Sequence, residues 1–395
     1  MNGEENSDSI PIDLILEILS RLPAKSITRF HCVSKLWGSM LCRPYFNELF
    51  LTISSARPRL LFAFSKHGEW RFFSSPQPQN PYGKSSFVAT ADFHTKFSQN
   101  LNICNYTSGL VYFSAMWITK ADVICNPSTG HYAMLPKLLL TYGETRSFFL
   151  FDPVGKQFKV LLMNKINNNE TKDIHILTLG TRKVRWRKIQ QCPLIHIVSH
   201  EWICINGALY YIAYNIDDFL GYIVCFDVRS EKFKCLNLNQ DCFSERSTKL
   251  IYYKGKLGVV NLKYAHGGGF PLKLCMWVLE DVEKQEWTTS VYTLRDEDRV
   301  VKVYYDLFIV GITATGEIVL AKKKVCKPFY VFYFNLERNT LLSVEIQGFG
   351  EYQSCCSVHA FVDHVEDLNV YAFVEHMKKT YEYDATSISP SEQKL

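Results

Sequence analysis

"INGALYYIAYNIDDFLGYIVCFDVRSEKFKCL", residues 205–236, holds two hairpins in one run. Asn206-Gly207 suits a tight turn, because both central residues of such a turn sit at positive φ. Apolar strands follow on either side of the irregular "NIDDFL", and a second, polar turn at "DVRSEK" leads into "FKCL". Tyr, Phe, Val and Ile, abundant here, favour pleated strands.

The same pair of hairpins recurs. The first turns at "SGLVYF" (108–113), "PVGKQFKV" (153–160), "INGALYYIA" (205–213), "YKGKLGVV" (253–260) and "TATGEIVLA" (313–321). The second turns at "CNPSTGHYAML" (125–135), "LGTRKVRWRKI" (179–189), "FDVRSEKFKCL" (226–236), "LEDVEKQEWTT" (279–289) and "FNLERNTLLSV" (334–344). Glycines 109, 155, 207, 255 and 316 mark the first hairpin at steps of 46, 52, 48 and 61. Four strands per step of that size is the spacing of a β-propeller blade. Five blades are explicit between 101 and 346. "RLLFAF", "WRFF" and "SFVATADF" before them, with "SVHAFV" and "NVYAFVE" after them, make a sixth shared by both ends of the ring. A seven-bladed ring or two packed sheets are the alternatives.

Residues 10–50 follow another rule. Ser9 can cap a helix and Pro11 fits near its first turn. With residues spaced about 100° apart, Ile12, Leu14, Ile15, Leu16, Ile18, Leu19 and Leu22 fill a wide arc, leaving Asp13, Glu17, Ser20 and Arg21 on the rest. An ordinary surface helix needs a stripe of roughly 100°, so this arc has enough for two surfaces. Leu22-Pro23 ends the helix, and a second, "AKSITRFHCVSKLW", places Ile27, Phe30, Val33 and Trp37 at spacings of three and four. Either a partner or the following β domain must cover the excess.

These residues resemble an F-box: Ile10-Pro11, Leu14, Glu17-Ile18-Leu19, Arg21-Leu22-Pro23, Lys25-Ser26, Arg29-Phe30, Val33, Lys35 and Trp37. Two positions depart from that pattern. Gly38 stands where a charged residue is common, at a cost of about 1 kcal/mol in a helix interior, and Ile10 replaces leucine. Residues 58–384 resemble the F-box-associated, kelch-related domain of plant F-box proteins, through "NPSTG", "FDPVGKQFKVL", "WRKI", "CINGALYYIA", "CFDVRSEKF", "MWVLEDVEKQEW" and "GEIVLA" in order. The resemblance implies a small all-α domain ahead of a mainly β propeller domain. It implies docking on a Skp-type adaptor, and through it a cullin, by Pro11, Leu14, Ile18, Leu19, Leu22, Pro23, Ile27, Phe30, Val33 and Trp37. The propeller would hold a target protein for a ubiquitin ligase. A propeller that binds protein or ligand without a ligase is the alternative.

Composition and charge set further bounds. The net charge of +5 in 395 residues forms no arm or stripe, as nucleic-acid binding would require. No run reaches the roughly 20 apolar residues of a membrane span, and "MNGEENSDS" does not read as a signal peptide. Thirteen cysteines then read as reduced thiols, and the expected compartment is cytoplasm or nucleus. The polar ends, 1–9 and 385–395, are expected to be disordered.

No catalytic or metal site is legible, and no cofactor is expected. Cys192, His196, His200 and Cys204 have helical zinc-site spacing, but Pro193 and the β-branched run around Val198 point to extended chain. There, residues four apart lie roughly 13 Å from each other. "PQNPYGKSS" (78–86) lacks the first glycine of a phosphate loop, and "HGGGF" (266–270) has no nucleophile elbow to serve. Binding is expected instead on one face of the ring, where the longer connections emerge: 115–120, 164–173, 215–221, 264–271 and 322–328 within blades, and 137–145, 190–201, 238–247 and 293–305 between them. Trp117, Tyr142, Tyr214, Phe219, Tyr264 and Phe270 are its candidate anchors.

Overall fold

The computed structural model describes residues 10–78, 86–98, 101–114, 121–138, 144–166, 170–181, 185–189, 196–215, 221–237, 248–265, 268–295, 305–350, 356–368, 373–374 and 376–377. Four helices come first: α1 (Ile12–Ser20), α2 (Ala24–Phe30), α3 (Lys35–Leu41) and α4 (Pro44–Ser55). Pro11 occupies the N-cap position of α1 rather than its first turn, and Ser9 lies outside the described residues. The single second helix expected from "AKSITRFHCVSKLW" is two. A turn at 31–33 breaks it, and Ser34 restarts it by accepting a hydrogen bond from the Trp37 amide at 3.2 Å. Gly38 lies in that tight region, where a Cβ would stand 3.3 Å from the His31 carbonyl oxygen.

The propeller has six blades. Blade 1 comprises Asn102–Thr107, Leu110–Ser114, Val123–Cys125 and Tyr132–Met134, and blade 2 Glu144–Asp152, Gln157–Ile166, Glu170–Thr178 and Arg187–Lys188. Blade 3 is His196–Ile205, Ala208–Asn215, Gly221–Asp227 and Phe233–Asn237; blade 4 is Thr248–Tyr253, Lys256–Tyr264, Leu272–Asp281 and Glu286–Leu294. Blade 5 is Leu307–Ile312, Glu317–Lys322, Tyr330–Asn335 and Thr340–Gln347, and blade 6 joins Ser357–His364 to Arg59–Lys66, Glu69–Pro76 and Asp92–Ser98. The sixth blade is thus made from both ends, as the sequence pattern predicts. Two details differ. Ser86–Thr90 does not enter blade 6 but pairs in parallel with the outer strand of blade 5. Of "NVYAFVE", Phe373 and Val374 are helical rather than extended.

Each blade packs on both neighbours, so a strand's odd and even residues both need apolar partners. In Arg59–Lys66, Leu60, Phe62 and Phe64 fill the seam with blade 5, while Leu61 and Ala63 fill the seam with blade 1. This is why "RLLFAF" is continuous rather than alternating. Clusters of the same kind occupy the other four seams. The described cysteines are free thiols, and no helix among the described residues is long and apolar enough to cross a membrane.

One turn design recurs five times among the described residues. Asn126, Asp152, Asp227, Asp281 and Asn335 each turn a side-chain oxygen back to accept the amides two and three residues on. The fourth residue after each is left-handed: Gly130, Lys156, Glu231, Gln285 and Asn339. Aspartate and asparagine suit this because the side chain replaces a backbone acceptor. Asp281→Ala should lower stability by about 1 kcal/mol and Asp281→Asn by much less. Urea unfolding monitored by tryptophan fluorescence would read the difference.

Candidate interaction surfaces

The helical domain has a core and an uncovered outside. Leu16, Leu19, Ala24, Ile27, Met40, Leu41, Phe46 and Phe50 form the core. Leu19 is 3% and Ile27 0% exposed, so these two do not face a partner: they hold the helices to each other. One residue away, Ile18 is 58% exposed, and Leu14, one turn before it, 51%. Ile10, Ile12, Val33 and Leu36 are also exposed, as are Pro11 and Pro23, while Leu22, Phe30 and Trp37 are half-buried. Phe30 and Trp37 stack at 5.3 Å, tying the end of α2 to α3. The wide apolar arc of α1 therefore divides into an inner half that packs and an outer half that does not.

The helices sit on one face of the ring. α4 runs into Arg59, beside the end of the innermost strand of blade 6, through the short link 56–58. At that junction the His364 ring meets the Tyr106 hydroxyl at 2.7 Å through Nδ1 and Ser128 Oγ at 3.2 Å through Nε2. His94 Nε2 meets Ser74 Oγ at 2.7 Å, and Lys25 Nζ donates to the His94 carbonyl at 2.7 Å. Burial lowers the pKa of both imidazoles, to about 4 for His94, with help from the Arg59 charge, and to about 3 for His364, with help from His94 and Arg59. His94 Nδ1 stands 3.9 Å from Glu366 Oε1. That is too far for a hydrogen bond, and a neutral imidazole makes no ion pair. Burial raises the Glu366 carboxyl pKa, against the pull of the Ala24 amide.

Ser128 belongs to the polar turn of blade 1, and Tyr106 ends its innermost strand. The short turns therefore share a face with the helices, and the longer connections emerge on the opposite face. Of the candidate anchors there, Trp117, Tyr142 and Phe219 lie outside the described residues. Tyr214 packs half-buried in the seam of blades 3 and 4, and Tyr264 and Phe270 in that of blades 4 and 5. The Tyr264 hydroxyl donates to the Leu307 carbonyl and accepts from its amide, both at 3.0 Å. These three rings stiffen the seams beneath that face.

Tyr305, which the sequence reading passed over, is 56% exposed with φ of 51°. Its amide donates to Gly268 O at 3.2 Å, and its ring lies 5.1 Å from Tyr264. An exposed aromatic held left-handed against a rigid neighbour is a stronger binding candidate than a buried one. Its only sequence signal was its place in a long connection. A cavity of about 1080 Å³ opens among the innermost strands of blades 1, 3, 4, 5 and 6, lined by Trp202, Lys249, Tyr253, His359 and Asp363 among others. Among the described residues no three metal-ligating side chains come together.

Comparison with known proteins adds to this geometry. Residues 7–49 match the F-box domain, and residues 59–365 match the F-box associated beta propeller domain. The chain belongs to the F-box proteins. In Arabidopsis thaliana, F-box protein At1g30920 is 54% identical, covering 96% of this chain and 97% of its own. F-box protein At1g67130 is 50% identical over 100% of this chain and 84% of its own length, and F-box only protein 12 is 49% identical over 94% and 85%. Among solved structures, a mutant of the Aleuria aurantia lectin in complex with alpha-methyl-L-fucoside aligns at a TM-score of 0.43 and 9% identity. The alignment covers 75% of this chain and 97% of the lectin.

Two outcomes follow for this F-box protein. Between pH 6.5 and about 4, the unfolded chain protonates His94 and His364 while the folded chain does not. Their contribution is therefore complete above pH 6.5 and is lost as pH falls from there towards the folded values, at up to about 1.4 kcal/mol per pH unit for each histidine. Glu366, raised by burial, acts in the opposite sense. Urea midpoints measured from pH 7 to 5 should fall, and His364→Gln should flatten the slope. On the opposite face, an alanine at 268 would place its Cβ 2.4 Å from the Tyr305 ring, at φ of +79°. Gly268→Ala should cost about 1–2 kcal/mol and shift the ring resonances of Tyr305 by NMR.

Proposed function

We propose that this chain is the substrate-recognition subunit of a Skp-cullin-F-box ubiquitin ligase. The uncovered apolar surface of the F-box carries this reading: Leu14 and Ile18 are more than half exposed beside a packed core that uses neither. Apolar side chains that a domain does not use for itself mark a partner surface. The adaptor contacts are Pro11, Leu14, Ile18, Leu22, Pro23, Phe30, Val33 and Trp37, with Ile10, Ile12 and Leu36 added by their exposure.

The adaptor carries the cullin, and the propeller holds a target protein on the face away from the F-box, with Tyr305 among its contacts. The chain works in the cytoplasm or nucleus and does no chemistry itself. It raises the effective concentration of a target lysine near a conjugating enzyme bound elsewhere in the assembly.

Co-purification with a Skp-type adaptor tests the docking step. Wild type should bind. Leu14→Asp with Ile18→Asp should lose at least about 100-fold in affinity, since two apolar contacts become desolvated charges, with the circular dichroism of the free chain unchanged. Leu19→Asp should instead unfold the helical domain. A well-folded wild type that ignores the adaptor would overturn the reading.

A further inference from the structure

Residues beyond 365 lie outside both matched domains, yet Glu366, Leu368, Val374 and Met377 are all buried. The order in which they are buried is informative. Glu366 Oε2 accepts the amide hydrogen of Ala24, the first residue of α2, at 2.9 Å. That end of the helix is preceded by Pro23, which offers no side-chain cap, so a carboxylate from 342 residues away supplies the acceptor. The Glu366 amide donates in turn to Ser54 Oγ, in the last turn of α4, at 3.0 Å. One residue thereby grips two helices.

Leu368 then enters the F-box core itself. Further on, Phe373, Val374 and Met377 lie in the seam between blades 1 and 2, with the Phe373 ring 4.8 Å from Phe158. The chain thus joins F-box and propeller at 56–58 and again after His364, where Leu368 lies in the F-box core and Phe373 back in a propeller seam. The second connection is fastened in the core of each part. A single short link leaves two domains free to swing. A second link anchored at both ends takes that freedom away.

We propose that residues 365–368, together with Phe373, Val374 and Met377, form a strap that sets the orientation of the F-box on the propeller, with Glu366 as its positioning residue. The strap acts within the chain and stands whether or not an adaptor docks, so its test does not use adaptor binding.

The full-length chain is compared as wild type, Glu366→Ala, Glu366→Gln and Glu366→Ala with Leu368→Ala, by hydrogen exchange and small-angle X-ray scattering. In Glu366→Ala the amides at the start of α2 should exchange about tenfold faster, the loss of one charged acceptor. Its pair-distance distribution should broaden, and the double variant should broaden it further. Glu366→Gln, which keeps a carbonyl oxygen in place, should restore both readouts. Strands 102–114 and 357–364 should keep wild-type protection throughout. Wild-type scattering from the double variant would overturn the strap, because the 56–58 link and the Lys25 contact would then suffice. Loss of protection across the propeller strands would also overturn it, since Glu366 would then serve stability at large.

Discussion

The structure depends on the pairing of Ser357–His364 with Arg59–Lys66. In that ladder Leu61 faces Phe361, Phe62 faces Ala360 and Phe64 faces Val358, and the two ends of a 300-residue sheet system become one blade. Every blade then has two neighbours. The strands can be apolar on both sides because both sides are covered, and the ring exposes none of the apolar rows that an open stack would leave at its two ends. The F-box position also follows from this pairing, since α4 enters the ring at Arg59, next to where the closing strand leaves it at His364.

Much of this was legible in the sequence because it is written locally. Turn glycines and the aspartate or asparagine turns act within five residues, and strand content within eight, so the hairpin count gave the blades. What was hidden depends on distant chain. Ser86–Thr90 could not reveal a parallel partner near residue 345, and the helical Phe373 and Val374 follow from a seam some 200 residues earlier. In α1, Ile18 and Leu19 have nearly equal claims to the core. An apolar arc that serves two surfaces carries no mark of which half is inward, so Leu19 and Ile27 read as partner contacts when they are packing residues. The break at 31–34 was hidden by Phe30, Val33 and Trp37, whose helical spacing runs straight across it. Tyr214, Tyr264 and Phe270 show the same limit: an aromatic in a long connection looks alike whether it meets solvent or a neighbouring blade.

The two faces of the ring carry different demands. On the F-box side most of the described turns are short, five of them share one design, and polar groups are buried in a hydrogen-bonded cluster around His94 and His364. Such a cluster fixes geometry, because each buried group must keep its partner. On the other side the connections are longer and more varied, which suits selection of a partner, while half-buried rings in the seams keep their bases stiff. Rigidity at one face and variety at the other let the distance between the two stay constant while the second is free to differ.

Ring closure also has a meaning in time. Chains are made from the N-terminus, so Arg59–Lys66 leaves the ribosome early and waits for a strand made almost three hundred residues later. Through that interval the growing propeller keeps two bare edges, open to other unfinished chains or to the chaperones that shield them. Only a chain translated past His364 can hide both. Closure thus works as a molecular proof of completeness, separating finished chains from fragments.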